Sequence, residues 1–147
     1  MFTSAARNKL NAYLKEGGSL FLSGSYVGSD NVHSAADRDF IEDMLKFKYD
    51  GSARIDSTDI VNGLNMQFSI YRKPNAVHYA TIAPDAILPA SNKAFTAFAY
   101  GGGQGAGVAY QGKTYRTLSI SFPFECIRDK DVRNQAMKAI LGFLVKR

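Results

Sequence analysis

Ser23 and Ser25 stand where a short apolar run, Ser19–Ser23 (SLFLS), gives way to the glycine-bearing stretch Gly24-Ser25-Tyr26-Val27-Gly28. A tight turn after a buried strand lifts one side chain clear and aims backbone N–H groups around it, which is the physical basis of a nucleophile elbow. Ser25 occupies that position. The glycines that would relieve crowding two residues to either side are replaced by Ser23 and Val27. A serine also needs a base, and neither histidine supplies a pattern for one: His33 is followed by Ser34-Ala35 and His78 by Tyr79-Ala80, with no H-x-E. On the residues alone, a glycine-bearing turn with serines as caps is the favoured reading.

The other chemistry-bearing groups are weaker. Gly101-Gly102-Gly103-Gln104-Gly105-Ala106-Gly107 invites a phosphate-loop reading, but a G-x-G-x-x-G count from Gly101 meets Ala106, and no G-K-[ST] follows. It reads as a hairpin loop. Asp30, Asp37, Asp39, Glu42 and Asp43 cluster without EF-hand spacing, and the helical ones are expected on a solvated face. Cys126, the lone cysteine, reads as a buried thiol, and no Cys/His spacing suits zinc. The 18 Lys+Arg exceed the 13 Asp+Glu, but they are scattered, with no basic stripe interleaved with aromatics, so nucleic acid is not an expected partner. No cofactor is implied. No apolar run approaches the roughly 20 residues that span a bilayer.

The elements that must position these residues are legible in part. Phe2, Ala6, Leu10 and Tyr13/Leu14 recur at helical spacing, which predicts a helix over Ser4–Glu16 ended by Gly17-Gly18. Ser19–Ser23, flanked by glycines, reads as a buried parallel strand. Ser34 or Asp37 caps a second helix, ending near Lys46, whose Phe40, Ile41, Met44 and Leu45 face inward. From Phe47 to Ala90 only Met66–Tyr71 shows strand alternation, and prolines punctuate loops. Ala94–Tyr100, Gly105–Tyr110 and Thr114–Phe122 read as an antiparallel meander. Asp129 or Asp131 opens a last helix with Val132, Ala136, Ile140, Leu141 and Leu144 inward. The expected fold class is α/β: one domain over residues 1–147, with a mixed sheet flanked by helices, parallel at its start and an antiparallel meander toward the C-terminus.

Helix, Gly17-Gly18, strand and SGSY turn together resemble the nucleophile region of class I glutamine amidotransferase-like domains, whose G-x-C-x-G elbow puts a cysteine where Ser25 stands. Ser121-Phe122-Pro123-Phe124-Glu125 resembles that family's Q-F-H-P-E segment: Phe122 and Glu125 match, and Pro123 falls at the histidine. The runs GGSLFLSGSYVGSD, GAGVAY and SFPFE are also similar to C-terminal domains of secreted Bacteroidetes proteins labelled xanthan lyase-like. The resemblance implies a flavodoxin-like, amidotransferase-like fold truncated at its N-terminus, as the C-terminal part of a longer protein outside the cytoplasm. With serine and proline in place of cysteine and histidine, it implies a non-catalytic accessory domain of a polysaccharide-associated protein. Gly24, Ser25, Tyr26 and Glu125 would line a vestigial pocket, with other domains of the parent polypeptide and carbohydrate as partners. The alternatives are a serine hydrolase using Ser25 with a base from elsewhere, and a carbohydrate-binding module. Truncation would leave Ser19–Ser23 short of a neighbour, so the isolated chain is expected to self-associate or to add a strand from Phe47–Tyr71.

Overall fold

The computed structural model describes residues 2–54, 59–74 and 80–145. Thr3 caps the first helix, α1 (Ser4–Lys15), its hydroxyl accepting from the Ala6 amide. Gly17, at φ +96°, turns the chain into β1 (Ser19–Ser23). Ser34 caps α2 (Ala35–Asp39), which runs on into a π-helical turn, Phe40–Leu45, closed by Lys46 in the left-handed conformation. The remaining strands are β2 (Phe47–Ser52), β3 (Ile60–Gly63), β4 (Met66–Ser69), β5 (Asp85–Pro89), β6 (Ala94–Tyr100), β7 (Gly105–Gln111) and β8 (Arg116–Ile120). Asp129, whose carboxylate accepts from the amides of Asp131 and Val132, opens α3 (Lys130–Val145).

Six strands form one sheet in the order β1-β8-β7-β6-β3-β4, and β2 and β5 pair as a separate ribbon. Among the described residues only the β1–β8 pair is parallel, with Ser19 opposite Arg116 and Ser23 opposite Ile120. The mixed α/β sheet and the β6-β7-β8 meander therefore stand as the sequence implies. Two cores lie against the sheet. One gathers Ala136, Ile140 and Leu144 of α3 with Leu118, Ile120, Phe122 and Phe98; the other gathers Leu14, Ile41, Leu45, Phe47, Ile87 and Val108.

Several expectations need correction. Among the described residues β1 is an edge strand with β8 as its one partner, and all five of its residues are only half-buried. The region Phe47–Tyr71 does not cover it: β2 pairs with β5, while β3 and β4 sit at the far edge of the sheet. β2, β3 and β5 are short and carry glycine, aspartate or proline, which dilutes their alternation. Leu141 is 49% exposed, because the inward stripe of α3 passes through Ala136, Ile140 and Leu144 instead. Asp37 is buried, paired with Arg7 and hydrogen-bonded by Ser34 Oγ at 2.6 Å, so it belongs to a helix–helix contact and not to a solvated face.

The ribbon meets the main sheet through a contact between backbones. A Cβ at Gly105 would lie 2.1 Å from the carbonyl oxygen of Ile87, so only glycine lets β5 lie this close to β7.

Candidate functional site

The carboxyl end of β1 is where the sequence places its candidate chemistry, and the chain there is held by side chains of distant elements. Ser23 Oγ donates to the carbonyl of Phe122 at 3.2 Å and accepts from the Phe124 amide at 2.7 Å, tying the turn after β1 to the turn after β8 across Pro123. Gly24 N–H donates to the Ile120 carbonyl, continuing the ladder one residue beyond the strand.

Asp85, at the start of β5, fixes the next five residues. Its amide donates to the Ser25 carbonyl at 3.1 Å. Its carboxylate Oδ2 accepts from the Gly28 amide at 2.8 Å, the Ser29 amide at 2.8 Å and the Ser29 hydroxyl at 3.2 Å. Burial pushes the Asp85 carboxyl above its ordinary range, against the pull of those hydrogen bonds, and Asp30 adds to the rise. Gly28 is required, since a Cβ there would come within 2.8 Å of the Tyr49 ring.

Asn31 completes the frame. Its side-chain Nδ2 donates to the Val27 carbonyl at 3.0 Å, and its Oδ1 accepts from the Phe2 amide at 3.2 Å. The Phe2 ring meets Phe40 edge-on. Between these groups lies a cavity of about 260 Å³ lined by Phe2, Leu22, Gly24, Tyr26, Val27, Asp30 and Asn31. Its wall is mainly apolar, with the half-exposed Tyr26 ring and the Asp30 carboxylate at the surface. An apolar floor, one ring face and a few hydrogen-bonding groups make a binding arrangement.

Of the residues singled out from sequence, Gly24 and Tyr26 line this cavity. Ser25 lies in the turn beside it, outside its lining, and Glu125 is exposed on the short helical turn Phe124–Cys126, also outside the lining. Among the described residues no imidazole is hydrogen-bonded to the Ser25 hydroxyl; His33 is exposed, and His78 lies outside the described residues. Pro123 is buried and has no titratable group. Gly101–Gly107 forms the β6–β7 connection and the start of β7, with Gly103 at φ +89° donating to the Tyr100 carbonyl, as a hairpin loop does. Cys126 is buried, and burial pushes its thiol up. Among the described residues no three His, Cys, Asp or Glu side chains gather to hold a metal ion, and no helix is long and apolar enough to cross a membrane. Asp85, Asn31 and Phe2 escape sequence reasoning. The only local hint for Asp85 is an acidic residue placed directly before the apolar run Ala86-Ile87-Leu88.

No protein-family model and no curated protein matches the sequence. The fold is shared by chains of glycosidases. An exo-β-1,4-mannosidase from Opitutaceae bacterium strain TAV5 matches 100% of this chain with a TM-score of 0.60 at 10% identity, through 24% of its own length. A polyextremophilic β-galactosidase from the Antarctic haloarchaeon Halorubrum lacusprofundi also matches 100% of this chain, with a TM-score of 0.63 at 14% identity, through 21% of its length. A GH42 β-galactosidase matches 96% of this chain with a TM-score of 0.63 at 10% identity, through 20% of its length. The chain thus spans a quarter or less of each neighbour. These neighbours overturn the resemblance to glutamine amidotransferase-like and xanthan lyase-like domains: the fold is one found within longer glycosidase chains. The SGSY and SFPFE segments have a structural explanation in the Ser23 hydroxyl, which bonds both strand-ending turns to each other.

Proposed function

We propose that this chain is a non-catalytic accessory domain of a larger carbohydrate-acting protein outside the cytoplasm, and that the cavity at the end of β1 is a sugar contact. One observation carries the reading: solved chains that share its fold along its length include a mannosidase and two β-galactosidases, each much longer than this chain. The cavity suits the role, because a half-exposed tyrosine ring complements the apolar face of a sugar while Asp30 accepts hydroxyl hydrogens. Other domains of the parent polypeptide are the remaining partners of this reading.

Calorimetric titration with β-1,4-linked mannohexaose and β-1,4-linked galactotetraose tests it. Binding by the wild type that weakens about tenfold in Tyr26→Ala, or about 1.4 kcal/mol, supports the reading. Covalent labelling by a fluorophosphonate, abolished in Ser25→Ala, would establish a serine hydrolase and overturn the non-catalytic part.

A further inference from the structure

The opposite end of β1 carries an aromatic ring that is held rigidly and left half in water. Tyr13, in the last turn of α1, donates its hydroxyl to the Ser19 carbonyl at 3.2 Å and accepts from the Ser19 amide at 3.3 Å. Its ring lies over Gly18, where a Cβ would come within 2.4 Å of it. Although fixed at both ends, Tyr13 is 49% exposed. A ring immobilised before a ligand arrives loses little side-chain freedom on binding, which is the condition for an efficient stacking surface.

Tyr13 borders a cleft of about 860 Å³, whose wall also includes Glu16 at the end of α1, Lys113 and Thr114 in the β7–β8 turn, and Val145 at the end of α3. That volume is in the range of pockets that bury small-molecule ligands, about 300–1,000 Å³. At the Gly112-Lys113 turn the cleft meets a second hollow of about 470 Å³, bordered by Phe95. Phe95 is 44% exposed, and its ring is braced edge-on against Phe143 at 5.9 Å. Two braced, half-exposed rings therefore flank a polar turn.

The charged side chains around this groove are of both signs. Arg116 is committed, its guanidinium donating to the Phe143 carbonyl at 2.6 Å and lying over the Phe143 ring. Lys113 and Lys93 stand exposed on the walls, and Glu16 is the carboxylate among the lining residues. Two half-exposed rings suit a ligand with apolar faces, which a phosphate lacks, and the polar turn between them suits hydroxyls, which a lipid tail lacks.

We propose that this groove is a second carbohydrate-binding surface, taking a neutral oligosaccharide with one sugar unit stacked on Tyr13 and another further along on Phe95, and with hydroxyls meeting Glu16, Lys113 and Thr114. It rests on the carbohydrate-associated reading above and is independent of the Tyr26 cavity, which lies at the other end of β1.

The test is amide chemical-shift mapping of the whole chain titrated with mannohexaose and galactotetraose, for wild type and for Tyr13→Ala, Tyr13→Phe, Phe95→Ala and Tyr26→Ala. Shifts at Ser19, Lys113 and Thr114 are expected, with the dissociation constant read there raised at least tenfold by Tyr13→Ala, severalfold by Phe95→Ala, and not by Tyr26→Ala. Tyr13→Phe keeps the ring and loses its tether, so it should weaken binding less than alanine does and guards against misfolding as the cause. Shifts confined to the Tyr26 cavity would overturn the groove and leave the accessory reading standing. Shifts nowhere, for either sugar, would overturn both.

Discussion

Asp85 and Ser29 are joined twice, through the Ser29 amide and the Ser29 hydroxyl, and both bonds end on one carboxylate oxygen that also takes the Gly28 amide. An asparagine offers the same oxygen without the charge. Asp85→Asn should therefore keep the loop in place, whereas Asp85→Ala strands buried N–H groups and should cost about 2–3 kcal/mol. Urea unfolding of the three proteins checks this. Asparagine as damaging as alanine would mean that the charge itself holds the loop.

The same carboxyl gives a pH dependence of defined sign. Its pKa is raised in the fold above the ordinary 3.8, chiefly by burial. The folded state then binds the proton more tightly than the unfolded state, so this contribution to stability is full below the unfolded value and is lost as pH rises through the folded value. Asp85→Asn, which cannot ionise, should show a flatter stability profile from about pH 4 upward and should equal or exceed wild type at neutral pH. Parallel slopes for the two proteins would refute the assignment.

Ser23 and Ser25 should separate cleanly. The Ser23 hydroxyl is both donor and acceptor between two strand-ending turns, so Ser23→Ala should lower stability by about 1–2 kcal/mol. Ser25 is held through its carbonyl, which alanine retains, and Ser25→Ala should stay within about 0.5 kcal/mol. Thermal melts of the two variants suffice, and a reversed order would show that the Ser25 hydroxyl has a structural partner of its own.

Gly105 and Gly103 fail for different reasons. Alanine at 105 collides with the Ile87 carbonyl and should cost about 2–3 kcal/mol through forced backbone movement. Gly103 has open space around it but a φ of +89°, so alanine there should cost only about 1–2 kcal/mol. Equal losses would mean that β5 can shift away from β7 without penalty.

The open edge of β1 should make the chain associate, since unpaired strand edges template further pairing. Light scattering is expected to show reversible association that grows with protein concentration. A monomer at every concentration would mean that the Tyr13 hydroxyl on Ser19, together with the shortness of the strand, is enough to blunt the edge.

The sequence was readable where burial follows a period. Leu10 and Leu14 in α1, Ala136, Ile140 and Leu144 in α3, and the meander with its glycine turns all show their faces through spacing alone. The π-helical turn Phe40–Leu45 was only half legible: its apolar residues suggested a helix, but the wider turn has no period of its own in so short a run. β5 was hidden because its entering residue, Asp85, carries a charge into the interior, and that charge is tolerated only because Gly28 and Ser29 satisfy it from far along the chain. Of the residues named from the sequence, Gly24 and Tyr26 line the candidate cavity and lie in one turn, while Asp85 and Asn31 act through contacts that no local pattern records. SGSY and SFPFE misled as motifs because a hydrogen-bonded junction between two turns leaves a similar imprint to an inherited active site.

The pairing of Ser19 with Arg116 also sets a timetable. During synthesis α1 and β1 are made before the other strands, yet the strand that β1 pairs with is the last of the eight, so β1 waits for the whole stretch from Ser23 to Arg116 before it can dock. Contacts this distant in sequence close slowly. A stop before Arg116 would leave β1 without a strand to pair with, however well the middle of the chain had folded. The parallel seam is thus a late checkpoint, at which β1 is secured only once β8 has been made.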